Sequence, residues 1–256
     1  MNHTFIAILI IISLLFVAAT LVYSNEKLKK EREHSRKLTN QLVEAIVGAI
    51  DAKDIYTQGH SIRVALYSRE LARRAGKSTE FQRNIYYLGM VHDVGKIGVH
   101  GAILRKTGEL TEEEYEEIRK HPTMGGEILS GISEIPRIRV GALYHHERYD
   151  GTGYPFGLKG DSIPEEGRII AVADTYDAMA SNRSYRAAMP QEEIRKVIKE
   201  NAGKQLDPYY AGLMLDIIDD DKNYVLRGQA VASKDSIDNI RFFLSEKARS
   251  EREVAK

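Results

Sequence analysis

The chain begins with a long apolar segment. Residues 5–22, from Phe5 to Val22, are apolar except for one serine and one threonine, and no Asp, Glu, Lys or Arg precedes Glu26. As an α-helix, this segment would extend about 27 Å, which is close to the thickness of the hydrocarbon core of a bilayer. The pattern predicts a single transmembrane helix within residues 1–24. A cleaved signal peptide is the alternative, but it lacks its usual basic start, and the apolar run is longer than usual.

Basic residues are frequent directly after this segment and absent before it. They are Lys27, Lys29, Lys30, Arg32, Arg36 and Lys37. Because positive residues tend to stay on the cytoplasmic side, the chain is expected to cross the inner (cytoplasmic) membrane once, with its C-terminal part in the cytoplasm. Residues 25–40 are predicted to form a charged helical linker.

A four-residue apolar repeat follows the linker. Leu38, Leu42, Ile46 and Ile50 share one helical stripe. The favoured interpretation is a first helix that packs on its own domain. A short coiled coil with a second copy of the chain is left open, because the heptads are few.

The rest of the chain shows helical periodicity and no sustained alternation of apolar and polar residues. The best strand candidate is residues 224–232, and residues 236–256 are typical of an amphipathic helix. The chemistry-bearing residues fall in an all-α domain at 41–221, followed by a partly helical extension at 222–256. The predicted helices are 60–75, 79–92, one that begins at Thr111, 136–147, 164–188, 190–201 and 208–218.

Composition narrows the chemistry. The 256 residues include 37 basic and 37 acidic side chains, so no overall positive field favours a DNA or RNA polymer as partner. Cysteine is absent, which excludes disulfides, thiolate metal sites and a cysteine nucleophile. A metal site would therefore need histidine and carboxylate ligands, which suit iron, manganese or zinc.

Six of the eight histidines lie between His60 and His146, mostly at predicted helix ends and beside carboxylates. Asp93 and Asp174 follow apolar helical runs, where an unpaired carboxylate costs several kcal/mol. Such a set predicts a metal site, with two neighbouring ions favoured; scattered helix-end histidines are the alternative. Since adjacent helical residues diverge by about 100°, His145 and His146 are expected to serve two ions, or one ion and its substrate.

Longer motifs carry a family resemblance. They are HDVGKIG at 92–98, HPTMGG at 121–126, HHERYDGTGYP at 145–155 and ADTYDAMASNRSYR at 173–186. Over residues 42–215 the chain resembles the HD-GYP subfamily of the HD superfamily of metal-dependent phosphohydrolases. The resemblance implies an all-α, HD-type helical bundle domain, here preceded by a single transmembrane helix, and a cyclic dinucleotide substrate.

The resemblance also implies roles for particular residues. Asp93 would bridge the metals, and Lys96 would lie near the scissile phosphate. Arg183 and Arg186 would bind substrate phosphates, although a solvated surface pair is the alternative. Gly153, Tyr154 and Pro155 would form a wall of the substrate site or a docking surface for a signalling protein. The implied metal ligands are His60, His92, Asp93, His121, His145, His146 and Asp174.

The implied activity is hydrolysis of cyclic di-GMP, a bacterial second messenger, to linear pGpG by attack of a metal-bridging hydroxide, and a second cut to GMP is left open. Two divalent ions are expected, with iron or manganese favoured over zinc. A third is doubtful, because Tyr56 stands where three-metal members have a glutamate. The alternatives left open are a phosphohydrolase acting on another cyclic dinucleotide or nucleotide, a non-catalytic cyclic di-GMP receptor, and a helical adaptor. A homodimer is also left open.

Overall fold

The computed structural model describes residues 3–53, 59–181 and 187–221. No regular strand occurs in these ranges, so the all-α prediction is confirmed there. The proposed strand at 224–232 and helix at 236–256 lie outside them. The helices are α1 His3–Lys53, α2 His60–Arg74, α3 Thr79–Met90, α4 Gly101–Leu104, α5 Glu112–Arg119, α6 His121–Ile128, α7 Ile138–Tyr144, α8 Glu165–Ala180, α9 Gln191–Asn201 and α10 Pro208–Asp220, with short 3-10 helices at Val94–Gly98, Leu129–Gly131 and Gly160–Ser162.

The chain divides into two compact units, Met1–Ala45 and Ile46–Lys256. Most of α1 belongs to the first unit, and its large apolar side chains are exposed. Within the described residues, α1 is the one helix that is long and apolar enough to cross a membrane, by length and composition alone.

The four-residue stripe of α1 does not behave as one face. Ile50 is buried, whereas Leu38 and Leu42 are exposed, and Ile46 is 57% exposed. Within the second unit, the expectation that the stripe packs on its own domain is therefore wrong for Ile46. The buried side chains there are Val47 and Ile50, three residues apart, so the buried face includes Ile50 and excludes Ile46.

The core of the second unit forms where α2 packs against α3 and α8. Their facing side chains are fully buried, and the rings of Tyr67 and Tyr176 meet edge to face, with centroids 5.1 Å apart. Such apolar burial is the main stabilising contribution to a fold of this kind. The metal-ligand candidates on α2 and α8 therefore stand on rigid, well-packed helices.

Two helix ends differ from the sequence predictions. Helix α8 ends at Ala180 rather than at residue 188, because the backbone of Ser181 is extended (φ −104°, ψ 147°). Helix α7 begins at Ile138 rather than at residue 136, because Arg137 adopts a left-handed conformation (φ 60°) that no helix continues through, and it ends at Tyr144 rather than at residue 147. The start predicted at Thr111 is confirmed by a capping box with Glu114.

Candidate metal centre

The histidines and aspartates of the sequence motifs come together in the second unit, although up to 114 residues separate them. His60 and His121 are the first residues of α2 and α6. His92 and Asp93 follow α3, His145 and His146 follow α7, and Asp174 lies within α8. Helix ends therefore supply nearly all of these side chains, as the sequence pattern predicted.

One group consists of His60, His92 and Asp93, which can each offer a ligand atom within 4.8 Å of the others. The Nε2 atoms of His60 and His92 lie 3.8 and 3.4 Å from Oδ2 of Asp93. Asp174 borders this group, because its Oδ1 atom lies 3.2 Å from Nε2 of His60.

A second group consists of Asp93, His121, His145 and His146, within the same 4.8 Å limit. Oδ1 of Asp93 lies 3.3 Å from Nε2 of His121 and 3.7 Å from Nε2 of His145. Asp93 therefore faces the first group with one carboxylate oxygen and the second group with the other.

His145 and His146 belong to the same group, which corrects the expectation that they diverge. Their ring centroids are 4.1 Å apart. Helix α7 ends at Tyr144, so both residues lie beyond the last helical position, and the 100° helical rotation does not separate them.

Backbone hydrogen bonds orient three of the imidazoles. Nδ1 of His92, His121 and His145 lies 2.7, 2.7 and 2.9 Å from the carbonyl oxygen three residues earlier. A carbonyl oxygen only accepts, so each Nδ1 must donate, and a neutral ring then carries its lone pair on Nε2. All three Nε2 lone pairs face the cluster, which is the arrangement that metal ligation requires.

The unpaired nitrogen atoms fit a divalent metal. Nε2 of His92 is buried and has no hydrogen-bond partner among the described residues. Nε2 of His121 and Nε2 of His145 face each other at 3.2 Å, where two lone pairs repel unless a cation or proton lies beside them. Burial lowers the pKa of His145 to about 4, which keeps this ring neutral and able to ligate at pH 7.

Asp93 carries a negative charge in a buried position. Burial alone would raise its pKa, but Lys96 and His92 lower it well below the usual value. Nζ of Lys96 lies 2.7 Å from Oδ2 of Asp93. A cationic side chain thus stands directly beside the carboxylate that the two groups share.

Asp177 and Arg63 adjoin the first group, and neither was singled out from the sequence. Both are buried, and the guanidinium of Arg63 donates to both carboxylate oxygens of Asp177 at 2.7 and 2.9 Å. Nδ1 of His60 lies 2.8 Å from Oδ2 of Asp177. The Asp177 carboxylate thus orients the His60 ring, as backbone carbonyl oxygens orient the rings of His92, His121 and His145. The available signal was that Asp177 lies three residues after Asp174 in the same apolar helix.

The loop after His146 is fixed by a buried carboxylate. Glu147 accepts hydrogen bonds from the amides of Phe156 and Leu158 at 2.7 and 2.9 Å. At Gly153, an added Cβ would overlap the backbone nitrogen of Arg148, so the tight return of the chain needs glycine here. The loop carries Pro155 and brings Tyr154 onto the metal-ligand candidates.

The ring of Tyr154 stacks on that of His146, with centroids 4.8 Å apart and planes 21° apart. A cleft of about 390 Å³ opens beside this stack, within the range of small-molecule sites. Its lining includes Tyr115, Arg119, His145, His146, Tyr154, Asp174, Thr175 and Gln205. Space for a small molecule therefore adjoins the candidate metal ligands directly.

Three residues of the sequence interpretation lie outside the described ranges. Arg183 and Arg186 fall within 182–186, and Tyr56 falls within 54–58. Their roles stay predictions.

The fold and the motif residues agree with a known family. A family model described as "HD domain" matches residues 23–209. The chain belongs to the HD domain family. The names of the sequence relatives agree with the HD-GYP subfamily that the motifs at 92–98, 121–126 and 145–155 suggest.

Curated relatives of this HD domain chain are phosphodiesterases. A cyclic di-GMP phosphodiesterase of Thermotoga maritima is 44% identical over 159 residues, covering 61% of this chain and 43% of that protein. A 3'3'-cGAMP-specific phosphodiesterase of Vibrio cholerae is 40% identical over 175 residues, covering 67% and 38%. The cyclic di-GMP phosphodiesterase response regulator RpfG of Xanthomonas campestris is 39% identical over 187 residues, covering 72% and 47%. The chain spans less than half the length of these three relatives.

Two solved structures share the fold. A cyclic GMP-AMP specific phosphodiesterase of Vibrio cholerae gives a TM-score of 0.57 at 16% identity, covering 78% of this chain and 53% of that one. A HDG"Y"P protein of Bdellovibrio bacteriovorus gives 0.54 at 16% identity, covering 70% and 63%. At 16% identity, these two structures support the fold of this chain and carry no argument about its function.

Proposed function

We propose that the protein is a metal-dependent phosphodiesterase that hydrolyses cyclic di-GMP to linear pGpG, with a second cut to GMP left open. The observation that supports the proposal most directly is the position of the Asp93 carboxylate. Its two carboxylate oxygens face two separate groups of histidines, and Lys96 lies 2.7 Å away. A carboxylate shared by two ligand groups is the arrangement of two-metal hydrolytic centres.

Two divalent ions, iron or manganese, would be held by the two groups. His60, His92, Asp93 and Asp174 would bind one ion. Asp93, His121, His145 and His146 would bind the other. When bound, such ions lower the pKa of a coordinated water and offset the charge on phosphoryl oxygens. Zinc suits the same donor atoms, and the metal content of the purified protein tells iron, manganese and zinc apart.

The chain's own residues would bind and orient the substrate. Lys96, partly exposed beside Asp93, would offset the charge that develops on the phosphate in the transition state. Arg183 and Arg186, three residues apart in sequence, would bind the substrate phosphates. Gly153, Tyr154 and Pro155 would close one side of the cleft, because Glu147 fixes their loop.

The substrate test is a panel of cyclic dinucleotides and linear nucleotides, assayed with the manganese- or iron-loaded full chain. We expect hydrolysis of cyclic di-GMP with pGpG as the first product. Hydrolysis of 3′3′-cGAMP alone would favour the alternative substrate that the names of three relatives suggest. Binding of cyclic di-GMP without turnover in metal-loaded protein would favour the receptor alternative.

We further propose that α1 anchors the domain to the inner (cytoplasmic) membrane by a single span at residues 1–24. The proposed linker is 25–40, the catalytic domain 41–221 and the extension 222–256. The apolar, exposed surface of α1 and the basic residues that follow it support this arrangement. Fractionation of the full chain tests it. The chain should stay with membranes through an alkaline carbonate wash, with its intact N-terminus, whereas release or cleavage near residue 24 would contradict the anchor.

A further inference from the structure

A cation and two aromatic rings form one wall of the cleft. On α5, Tyr115 and Arg119 are four residues apart and share a helical face. The guanidinium carbon of Arg119 lies 5.8 Å from the ring centroid of Tyr115 and 4.9 Å from that of Tyr154. Tyr154 in turn stacks on His146. The wall therefore extends from a metal-ligand candidate outward to Arg119 and Tyr115.

This wall is accessible to a ligand. Tyr115 is 45% exposed, although large aromatic side chains are usually mostly buried. The side chain of Arg119 is 35% exposed, and its NH1 atom pairs with the exposed carboxylate of Glu116 at 2.8 Å. An exposed pair of this kind contributes little free energy, so a ligand can replace it at low cost.

The chemistry of the wall suits a planar base. Aromatic rings and the guanidinium plane both stack on nucleobases. The edge of a guanidinium matches guanine, whose O6 and N7 atoms both accept hydrogen bonds. Adenine presents a donor at the position of O6, so it cannot accept both N–H groups. Thr175 and Gln205, joined by a 3.2 Å hydrogen bond, also line the cleft and add polar groups to it.

We infer that Arg119, in contact with Tyr115 and Tyr154, binds a guanine base of the cyclic dinucleotide and selects guanine over adenine. This inference rests on the proposed phosphodiesterase function. It assigns base selection to Arg119 of α5, which lies outside the four sequence motifs but contacts Tyr154 of one of them.

The test measures kcat and KM of the full, metal-loaded chain for cyclic di-GMP, 3′3′-cGAMP and cyclic di-AMP. The wild type should prefer guanine-containing substrates by a factor on the order of 10 or more in kcat/KM. Arg119→Ala should raise the KM for cyclic di-GMP about tenfold and leave the KM for cyclic di-AMP nearly unchanged. The preference for guanine-containing substrates in kcat/KM should then disappear. Arg119→Lys keeps the charge but loses the paired N–H groups, and should lose the preference too.

Two controls separate base binding from a general structural effect. Bis(p-nitrophenyl) phosphate carries no base, so wild type and Arg119→Ala should hydrolyse it equally and contain equal amounts of metal. Lys120→Ala removes a neighbouring exposed cation and should leave the guanine preference intact.

The inference is overturned if Arg119→Ala slows all substrates equally, or if the wild type cleaves cyclic di-AMP as well as cyclic di-GMP. Both results would leave the phosphodiesterase function standing. A metal-loaded wild type that cleaves bis(p-nitrophenyl) phosphate but no cyclic dinucleotide would overturn the proposed function and the inference together.

Discussion

Nδ1 of His60 lies 2.8 Å from Oδ2 of Asp177, and both side chains are buried. The carboxylate fixes the ring so that Nε2 points toward Asp93 and Asp174. Carboxylates that hold a ligand histidine in this way typically change metal affinity by about 10–100-fold. Asp177→Asn should therefore weaken the affinity of the His60 group by about that factor, measured by manganese titration of the metal-free full chain.

This prediction needs a control, because Asp177 also neutralises the buried Arg63. Breaking such a pair destabilises a fold by about 3–5 kcal/mol. Glu70→Gln is the control, because it breaks the ion pairs that the buried Glu70 carboxylate forms with Arg73 and Arg74 within α2. It should lower the free energy of unfolding without changing metal affinity. Equal affinity losses in the two variants would show that Asp177 acts through stability alone.

Gly95 lies where the segment after Asp93 crosses the start of α6. An added Cβ would overlap the carbonyl oxygen of His121 and lie 2.6 Å from the amide nitrogen of Gly125. Backbone atoms cannot rotate away, so Gly95→Ala should lower the free energy of unfolding by about 3 kcal/mol. It should also reduce metal binding, because His121 must shift. Gly108→Ala is the matched control, since nothing lies within 4 Å of the added Cβ; urea titration compares the two.

Lys96 is expected to act on the reaction more than on the fold. Its Nζ atom lies beside Asp93, where it would stabilise charge on the phosphate oxygens. Removing one such group typically costs about 100-fold in rate, so Lys96→Met should lower kcat for cyclic di-GMP by about that factor at unchanged metal content. Lys106→Met, which removes a lysine paired with Glu114, should keep the wild-type rate. A fully active Lys96→Met protein would refute this role.

Metal binding should stabilise the folded chain, because the ligand nitrogens are assembled only in the folded state. At a manganese concentration about 100 times the dissociation constant, the free energy of unfolding should rise by about 2.7 kcal/mol. His121→Gln should lose most of this increase. His34→Gln, at an exposed position of α1, should retain it. No increase in the wild type would argue against the metal centre.

The histidine clusters could be foreseen from the sequence because their requirements are local. His92, Asp93 and His145 stand at helix ends, and a carboxylate in an apolar context needs a partner. Asp177 and Arg63 escaped notice because their pairing joins residues 114 positions apart. A charged pair of that kind has no periodic signature, and only the packing of α2 on α8 brings it together.

Other details depended on contacts that no local pattern encodes. Helix α8 ends where the backbone of Ser181 becomes extended, and Met189 donates to the carbonyl of Met179, ten residues earlier. The grouping of His145 with His146 followed from the early end of α7 at Tyr144. Arg119 attracted no attention because a lone arginine on an acidic helix is usually solvated, and only the folded loop brings Tyr154 beside it.

The most direct test is elemental analysis of anaerobically purified full chain, coupled to a cyclic di-GMP hydrolysis assay, for the wild type and Asp93→Ala. The wild type should contain about two divalent ions per chain and release pGpG. Asp93→Ala, which removes the carboxylate shared by both groups, should lose metal and activity together. An Asp93→Ala protein that hydrolyses cyclic di-GMP at the wild-type rate would contradict the account.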